Sequence, residues 1–303
     1  MSLNQKALLL FESNQYNEAL ASFERAVSKE RTVQALNNLA WMYLYEEEEA
    51  QRAKVLLEEV LVHDPQSHFP YNMLGEIAMQ EKNWLEAKEI LEKSIKIVQS
   101  TEAIHNLAVI HYKMGDFQKA VNFFSEIAED SNLIRWFEVL ARIRNQDVIT
   151  AKSILDSWNE HADDYTGAIE PADAYVEIDC FKEAKIMFEK EWEEYFVSPY
   201  IINRYAYALF QLNEFRKCEK LIQESIDKKI IEIVEEKQEP YDGQWTEADK
   251  SDRIAELQFE LTGLRQLTTK LEAGYRPPLE IELHATSSCY LFGCVQHGNA
   301  EYL

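Results

Sequence analysis

Glycine and proline are scarce, at 8 and 7 in 303 residues. Sheets joined by tight turns draw on both, so their scarcity sets aside a turn-rich β fold and points to helices. Cysteine occurs four times, too sparsely for a disulfide framework, which fits a reducing compartment. Cationic side chains are outnumbered, 31 against 54 acidic, leaving a net charge of -23. That balance repels a phosphate backbone and an anionic lipid surface, so neither nucleic acid nor membrane is expected as a partner. No apolar run reaches the roughly 18 residues that span a bilayer. The run Leu8 to Phe11 is too short for a signal sequence, lacks a basic flank and leads straight into Glu12. The reading is a soluble, cytoplasmic chain. Catalytic signatures are missing too: no phosphate-cradling glycine loop, no HExxH, no GxSxG and no dinucleotide fingerprint. His105 and His111, six residues apart, point to different faces of a helix. No enzyme activity is expected.

What is present is a repeat. YNEALASFERAV, AQRAKVLLEEVL, WLEAKEILEKSI, FQKAVNFFSEIA, ITAKSILDSW, FKEAKIMFEKEW and FRKCEKLIQESI each pair a small residue with a large apolar one four positions later. The small residues are Ala19, Ala53, Ala87, Ala120, Ala151, Ala184 and Cys218, separated by 34, 34, 33, 31, 33 and 34. Their partners are Phe23, Leu57, Leu91, Phe124, Leu155, Phe188 and Ile222. A small side chain lets a neighbouring helix approach and the large one fills the groove. Helix pairs of this kind bury their apolar faces only by stacking, which predicts an all-α solenoid of about seven helix-turn-helix units.

The pattern resembles the tetratricopeptide repeat family over residues 1–230. Leu39, Ala40, Tyr43 and Pro65 carry the resemblance in the second repeat, and Leu74, Gly75, Ala87 and Leu91 in the third. Leu107, Ala108, Gly115, Asp116, Phe117, Ala120 and Phe124 carry it in the fourth. It implies a right-handed superhelix. The 31-residue step suggests a shortened inter-helix loop near RNQD in the fifth repeat. In the sixth, Pro171 is expected at the first helical position, with a bend near 160–171. Residues 231–245 read as a charged linker ending in turn chemistry. Residues 246–274 read as one helix capping the array, started by Thr246 and Asp249 and ended at Gly274. Its apolar face holds Ile254, Leu257, Leu261, Leu264 and Leu271.

In the family the first helix of each repeat lines the concave surface. The resemblance therefore implies a groove for a protein or peptide ligand, lined by Asn37, Trp41, Asn72, His105, Tyr112, Arg135, Arg142, Asn203 and Tyr207. A carboxamide offers one donor and one acceptor to an extended backbone, and aromatic rings offer contact area. The family's clamp for an anionic C-terminus needs cations where this chain has Asn4, Leu8, Asn38, Phe69 and Met73. A binding scaffold without a cofactor is the leading reading. A peptide-sensing regulator acting through protein contacts is a variant of it.

Residues 275–303 form a non-helical tail, in which alternation at Leu279, Ile281 and Leu283 leaves a β-hairpin open. His284, Cys289, Cys294 and His297 are ligand types for zinc. A zinc-dependent or redox-modulated tail is the alternative functional class, and simple packing of the tail is the bland one. Oligomeric state is left open.

Overall fold

The small residues of the ladder are among the most deeply buried of the described residues. Ala19, Ala53, Ala87, Ala120, Ala151 and Ala184 expose nothing, and their partners Phe23, Leu57, Leu91, Phe124 and Phe188 are equally enclosed. The computed structural model describes residues 2–128, 131–158, 167–192, 198–240 and 245–299. Among these residues there are fifteen helices and no strand.

The helices pair as the ladder requires. The first four repeats are α1 (Leu3–Glu12) with α2 (Tyr16–Lys29), α3 (Val33–Tyr45) with α4 (Ala50–Val62), α5 (Phe69–Gln80) with α6 (Trp84–Ile97), and α7 (Thr101–Lys113) with α8 (Phe117–Ile127). Three more follow: α9 (Asn132–Arg144) with α10 (Val148–Asp156), α11 (Ile169–Glu177) with α12 (Phe181–Glu191), and α13 (Pro199–Gln211) with α14 (Phe215–Gln238). The last helix is α15 (Glu247–Glu272). No helix among the described residues is long and apolar enough to cross a membrane.

Close approach within a repeat is clearest at Gly75, where an added Cβ would lie 2.6 Å from Leu91 Cγ and Cδ2. Between paired helices the chain reverses on one left-handed residue: Asn14, Glu48, Lys82, Gly115, Gln146, Asp179 and Asn213, with φ from 56° to 81°. After Lys82, the Asn83 N–H reaches back to the Ala78 carbonyl at 2.8 Å and so satisfies an orphan acceptor of α5. Ser2, Thr32, Ser100, Ser131 and Ser198 cap the first helices of their repeats through side-chain oxygens.

Several details differ from the sequence reading. The RNQD turn is of ordinary size; the missing length lies in α8, with 11 residues against 14 in α2 and α6. Helix α11 starts two residues before Pro171, which occupies the first turn, where its absent N–H has no intrahelical acceptor to lose. Most of the expected bend region, residues 159–166, lies outside the described residues. The charged stretch from 231 is helical as far as Gln238, because its Glu, Lys and Gln residues are good helix formers and Ile233 packs on Leu257 and Leu261. Thr246 and Asp249 form a capping box at the start of α15, and Gly274 follows its end at φ 88°. Leu267 completes the apolar face that Thr268 interrupts in the sequence.

Two compact units are formed: Met1–Glu129 with Leu283–Leu303, and Asp130–Glu282. Among the described residues of the tail the hairpin option is not realised. Its backbone groups are instead taken up by side chains of the helices, which removes the need for a partner strand.

Candidate functional site

In the first unit the face made by α1, α3, α5 and α7 holds residues 283–299. Three asparagines do most of the holding. Asn38 Oδ1 accepts from the Phe292 N–H at 2.8 Å while its Nδ2 donates to the Phe292 carbonyl at 2.9 Å. Asn106 repeats this at Thr286, accepting at 2.8 Å and donating at 2.9 Å. Asn37 donates to the Tyr290 carbonyl at 2.8 Å. His105 Nε2 lies 3.2 Å from the His284 carbonyl. Burial holds that imidazole below its ordinary range, and in the neutral form with the proton on Nε2 it donates to this oxygen.

The side chains of the segment belong to the core. Tyr290, Leu291, Phe292 and Cys294 are buried, and three of them pack in the same apolar cluster as Leu36, Leu39 and Tyr43. Phe69 stacks at a tilt against both Tyr290 and Phe292, with centroids 5.7 and 5.0 Å away. The Tyr290 hydroxyl donates to Glu76 Oε1 at 3.0 Å, and Tyr45 donates to Oε2 at 2.6 Å. Burial pushes the Glu76 carboxyl up to about 8, against the pull of the two hydroxyls. A cavity of about 430 Å³ beside this contact is lined by His68, Phe69, Glu102, Cys289, Tyr290 and Asn299.

In the second unit the corresponding partner of the backbone is a cation. Arg204, fully buried on α13, contacts Asp173 Oδ1 at 2.9 Å and Glu177 Oε1 at 2.6 Å, and donates to the Pro277 carbonyl at 3.0 Å. Tyr200 donates to Asp173 Oδ2 at 2.7 Å and accepts from the Glu280 N–H at 3.4 Å. Arg276 donates to the carbonyls of Val176 and Glu177, at 3.0 and 3.1 Å.

The remaining residues singled out in the sequence have other surroundings. Trp41 packs edge-on to Phe11 and against Tyr45. Asn72 bonds to Ser94 and Ser100, tying α5 to α6 and to the cap of α7. Tyr112 meets Phe117, and Tyr207 meets Phe181. Arg142 is paired with Glu138 and Asp147 at 2.7 and 2.6 Å, while Arg135 and Asn203 are half-buried. In the tail, the ligand atoms of Cys289, Cys294 and His297 lie within 4.8 Å of one another, and all four cysteines of the chain are free thiols. His284 stands outside that cluster, exposed, with its carbonyl turned to His105.

Family models described as "Tetratricopeptide repeat" match residues 2–28, 70–98 and 100–129. A tetratricopeptide repeat protein from Parabacteroides merdae ATCC 43184 shares the fold at 14% identity and a TM-score of 0.57, covering 86% of this chain and 97% of that one. The repeats are tetratricopeptide repeats. Weaker likenesses include the Naa15/Naa10 complex bound to HypK-THB (18% identity, TM-score 0.43), where 75% of this chain covers 36% of the other. Yeast Tom70 is another, at 16% identity and a TM-score of 0.46, with 89% and 54% covered. The chain thus spans little more than a third of the first of these two. No curated protein matches it.

Within the tetratricopeptide array, Asn4, Asn38, Asn72 and Asn106 recur at intervals of 34. Asn38 and Asn106 are the members that hold backbone, and sequence reasoning passed over both. The strict 34-residue interval was the signal that separates Asn38 from its neighbour Asn37. Tyr45 and Arg204 were also missed; each gains its meaning from a partner remote in sequence, whereas packing of the tail through Tyr290, Leu291 and Phe292 was an expectation.

Proposed function

We propose that this tetratricopeptide-repeat protein works by binding rather than catalysis, and that the α1/α3/α5/α7 face takes an extended segment of a protein partner. The observation that carries the reading is the paired use of Asn38 and Asn106, each satisfying the N–H and the C=O of a single residue. Such contacts ignore side-chain identity; Thr286 lies in an extended stretch and Phe292 at the start of the turn that ends it. Selectivity comes from the seats of Tyr290 and Phe292, two residues apart on the segment, one ending in a carboxyl and the other against Phe69. The favoured ligand is an extended segment with aromatic residues at that spacing. Residues 283–299 are its resident competitor, and they lower a partner's apparent affinity by the fraction of time they are docked. The net charge of -23 supports a protein rather than a nucleic acid or anionic membrane as partner, and the four free thiols fit a reducing, cytoplasmic setting.

The test uses a fluorescent peptide with the sequence of residues 283–299 under reducing conditions. Full-length protein carrying Tyr290→Ala, which loosens the resident segment, should bind it about 10-fold more tightly than wild type. Adding Asn106→Ala should reverse the gain. Absence of binding to both the wild type and the loosened variant, with helicity intact by circular dichroism, overturns the reading.

A further inference from the structure

The cluster of Cys289, Cys294 and His297 plays no part in holding an extended backbone, yet it is built with care. Gly293 and Gly298 turn the chain at φ 83° and 65° on either side of Cys294 and His297. The turn is closed by bonds from the Cys294 N–H to Leu291, from the Gly298 N–H to Val295 and from the Asn299 N–H to Cys294. Asn299 Nδ2 then ties the loop together, donating to the carbonyls of Cys289 at 2.7 Å and Leu291 at 3.0 Å. These bonds bring two thiols and an imidazole, from positions 289 to 297, onto one small volume.

The geometry suits one kind of occupant. Zn–S bonds of about 2.3 Å and Zn–N bonds of about 2.0 Å place tetrahedral ligand atoms roughly 3.5–3.8 Å apart. Cys294 Sγ and His297 Nδ1 are already 3.2 Å apart, and no separation in the trio exceeds 4.8 Å. Closure therefore needs shifts of about an ångström or less. Donors also surround the sulfur: the Leu291 backbone N–H and Asn299 Nδ2, the latter at 3.6 Å, both address Cys289 Sγ. N–H groups directed at a sulfur favour the thiolate over the thiol and fix its orientation toward a metal. Cys294 is buried, Cys289 half-buried and His297 exposed, so access is open from the imidazole side.

We propose that Cys289, Cys294 and His297 form a three-ligand zinc site, with a solvent oxygen in the fourth position, that fixes the turn closing the tail onto α3. Binding converts the two thiols to thiolates, forms two Zn–S bonds and one Zn–N bond, and releases two protons to solvent. The adjoining backbone of Tyr290 and Phe292 is what Asn37 and Asn38 grip, so the metal stiffens the segment that fills the groove. The site stands whether or not the groove accepts a foreign segment.

The experiment uses full-length, untagged, reduced protein. Zinc uptake is measured by competition with a chromophoric chelator, and Co²⁺ replaces Zn²⁺ for spectroscopy. The expected results are one equivalent of zinc, an intense tetrahedral Co²⁺ spectrum and thiolate-to-cobalt charge transfer. His297→Ala alters an exposed side chain and should weaken binding on the order of 100-fold without loss of helicity. Cys294→Ala should abolish the charge-transfer band attributable to a second thiolate. No uptake by the reduced wild type, a weak octahedral Co²⁺ spectrum, or uptake unchanged in both variants would overturn the site. So would a Cys289–Cys294 disulfide, seen as a mass lower by two hydrogens, in protein that takes up no zinc after reduction.

Discussion

Asn38 and Phe292, 254 positions apart in the chain, share two hydrogen bonds: one carboxamide holds both polar groups of one peptide residue. Both partners are buried. Removing the carboxamide takes one acceptor from the Phe292 N–H and one donor from its C=O in a buried setting, at about 1–3 kcal/mol for each bond lost. Asn38→Ala is therefore expected to release the segment rather than merely loosen it. Hydrogen exchange should show protection lost at residues 286–292 and retained in α4 and α6. Unchanged protection of the Phe292 amide would refute the pairing.

Docking should weaken as pH rises. Glu76 sits under the Tyr290 hydroxyl with its carboxyl raised to about 8 by burial; Tyr45 and Glu102 are the other titratable groups that act on it. With Tyr290 withdrawn, water reaches the carboxyl and its affinity for protons falls toward the ordinary range near ~4.3. The docked state then binds more protons than the open one. Its advantage is complete below that ordinary range and declines, by up to roughly 1.4 kcal/mol per pH unit, until pH passes about 8. Opening free energies from hydrogen exchange at several pH values measure this, and Glu76→Gln should flatten the profile.

Gly75→Ala is expected to destabilise the first unit although alanine is the better helix former. The propensity gain is about 1 kcal/mol. Against it stands a Cβ placed 2.6 Å from Leu91, and overpacking of this kind costs about 1–3 kcal/mol. A lowered urea midpoint with an unchanged slope would show it. The double change with Leu91→Ala should cost less than the sum of the two single changes, because the clash and the cavity relieve each other.

In the second unit, Arg204→Ala should be the most damaging single change. It strips the buried Asp173 of its cation and the Pro277 carbonyl of its donor, a loss of about 3–5 kcal/mol. Arg204→Lys keeps the charge but not the fork that reaches Asp173, Glu177 and Pro277 together, and is expected to recover only part of the loss. Thermal unfolding of the two variants decides the order.

Much of the architecture was legible because it is periodic. The alternation of Ala87 with Leu91, and its counterparts, reports a packing rule that each repeat obeys within 34 residues. The groove was legible in its chemistry but not in its register. Asn37 and Asn38 are adjacent on one helix and both buried, and only the interval to Asn72 and Asn106 tells them apart. The occupant was not legible at all: nothing local to HATSSCYLFGCVQH says which helices, some 180 to 250 residues earlier, receive it. The stretch after Ile230 misled because charge density was read as exposure. Ile233 and Glu232 show otherwise, one packed on α15 and the other paired with the buried Lys229.

The membership of Tyr290, Leu291 and Cys294 in the same apolar cluster as Leu36 and Leu39 bears on how the chain is made. A ribosome delivers Met1–Glu129 about 150 residues before Leu283. At 5–20 residues per second the first unit waits on the order of ten to thirty seconds with its groove vacant and its core unfinished. Throughout that interval the nascent chain offers to any chaperone or neighbouring polypeptide the surface that the finished molecule conceals.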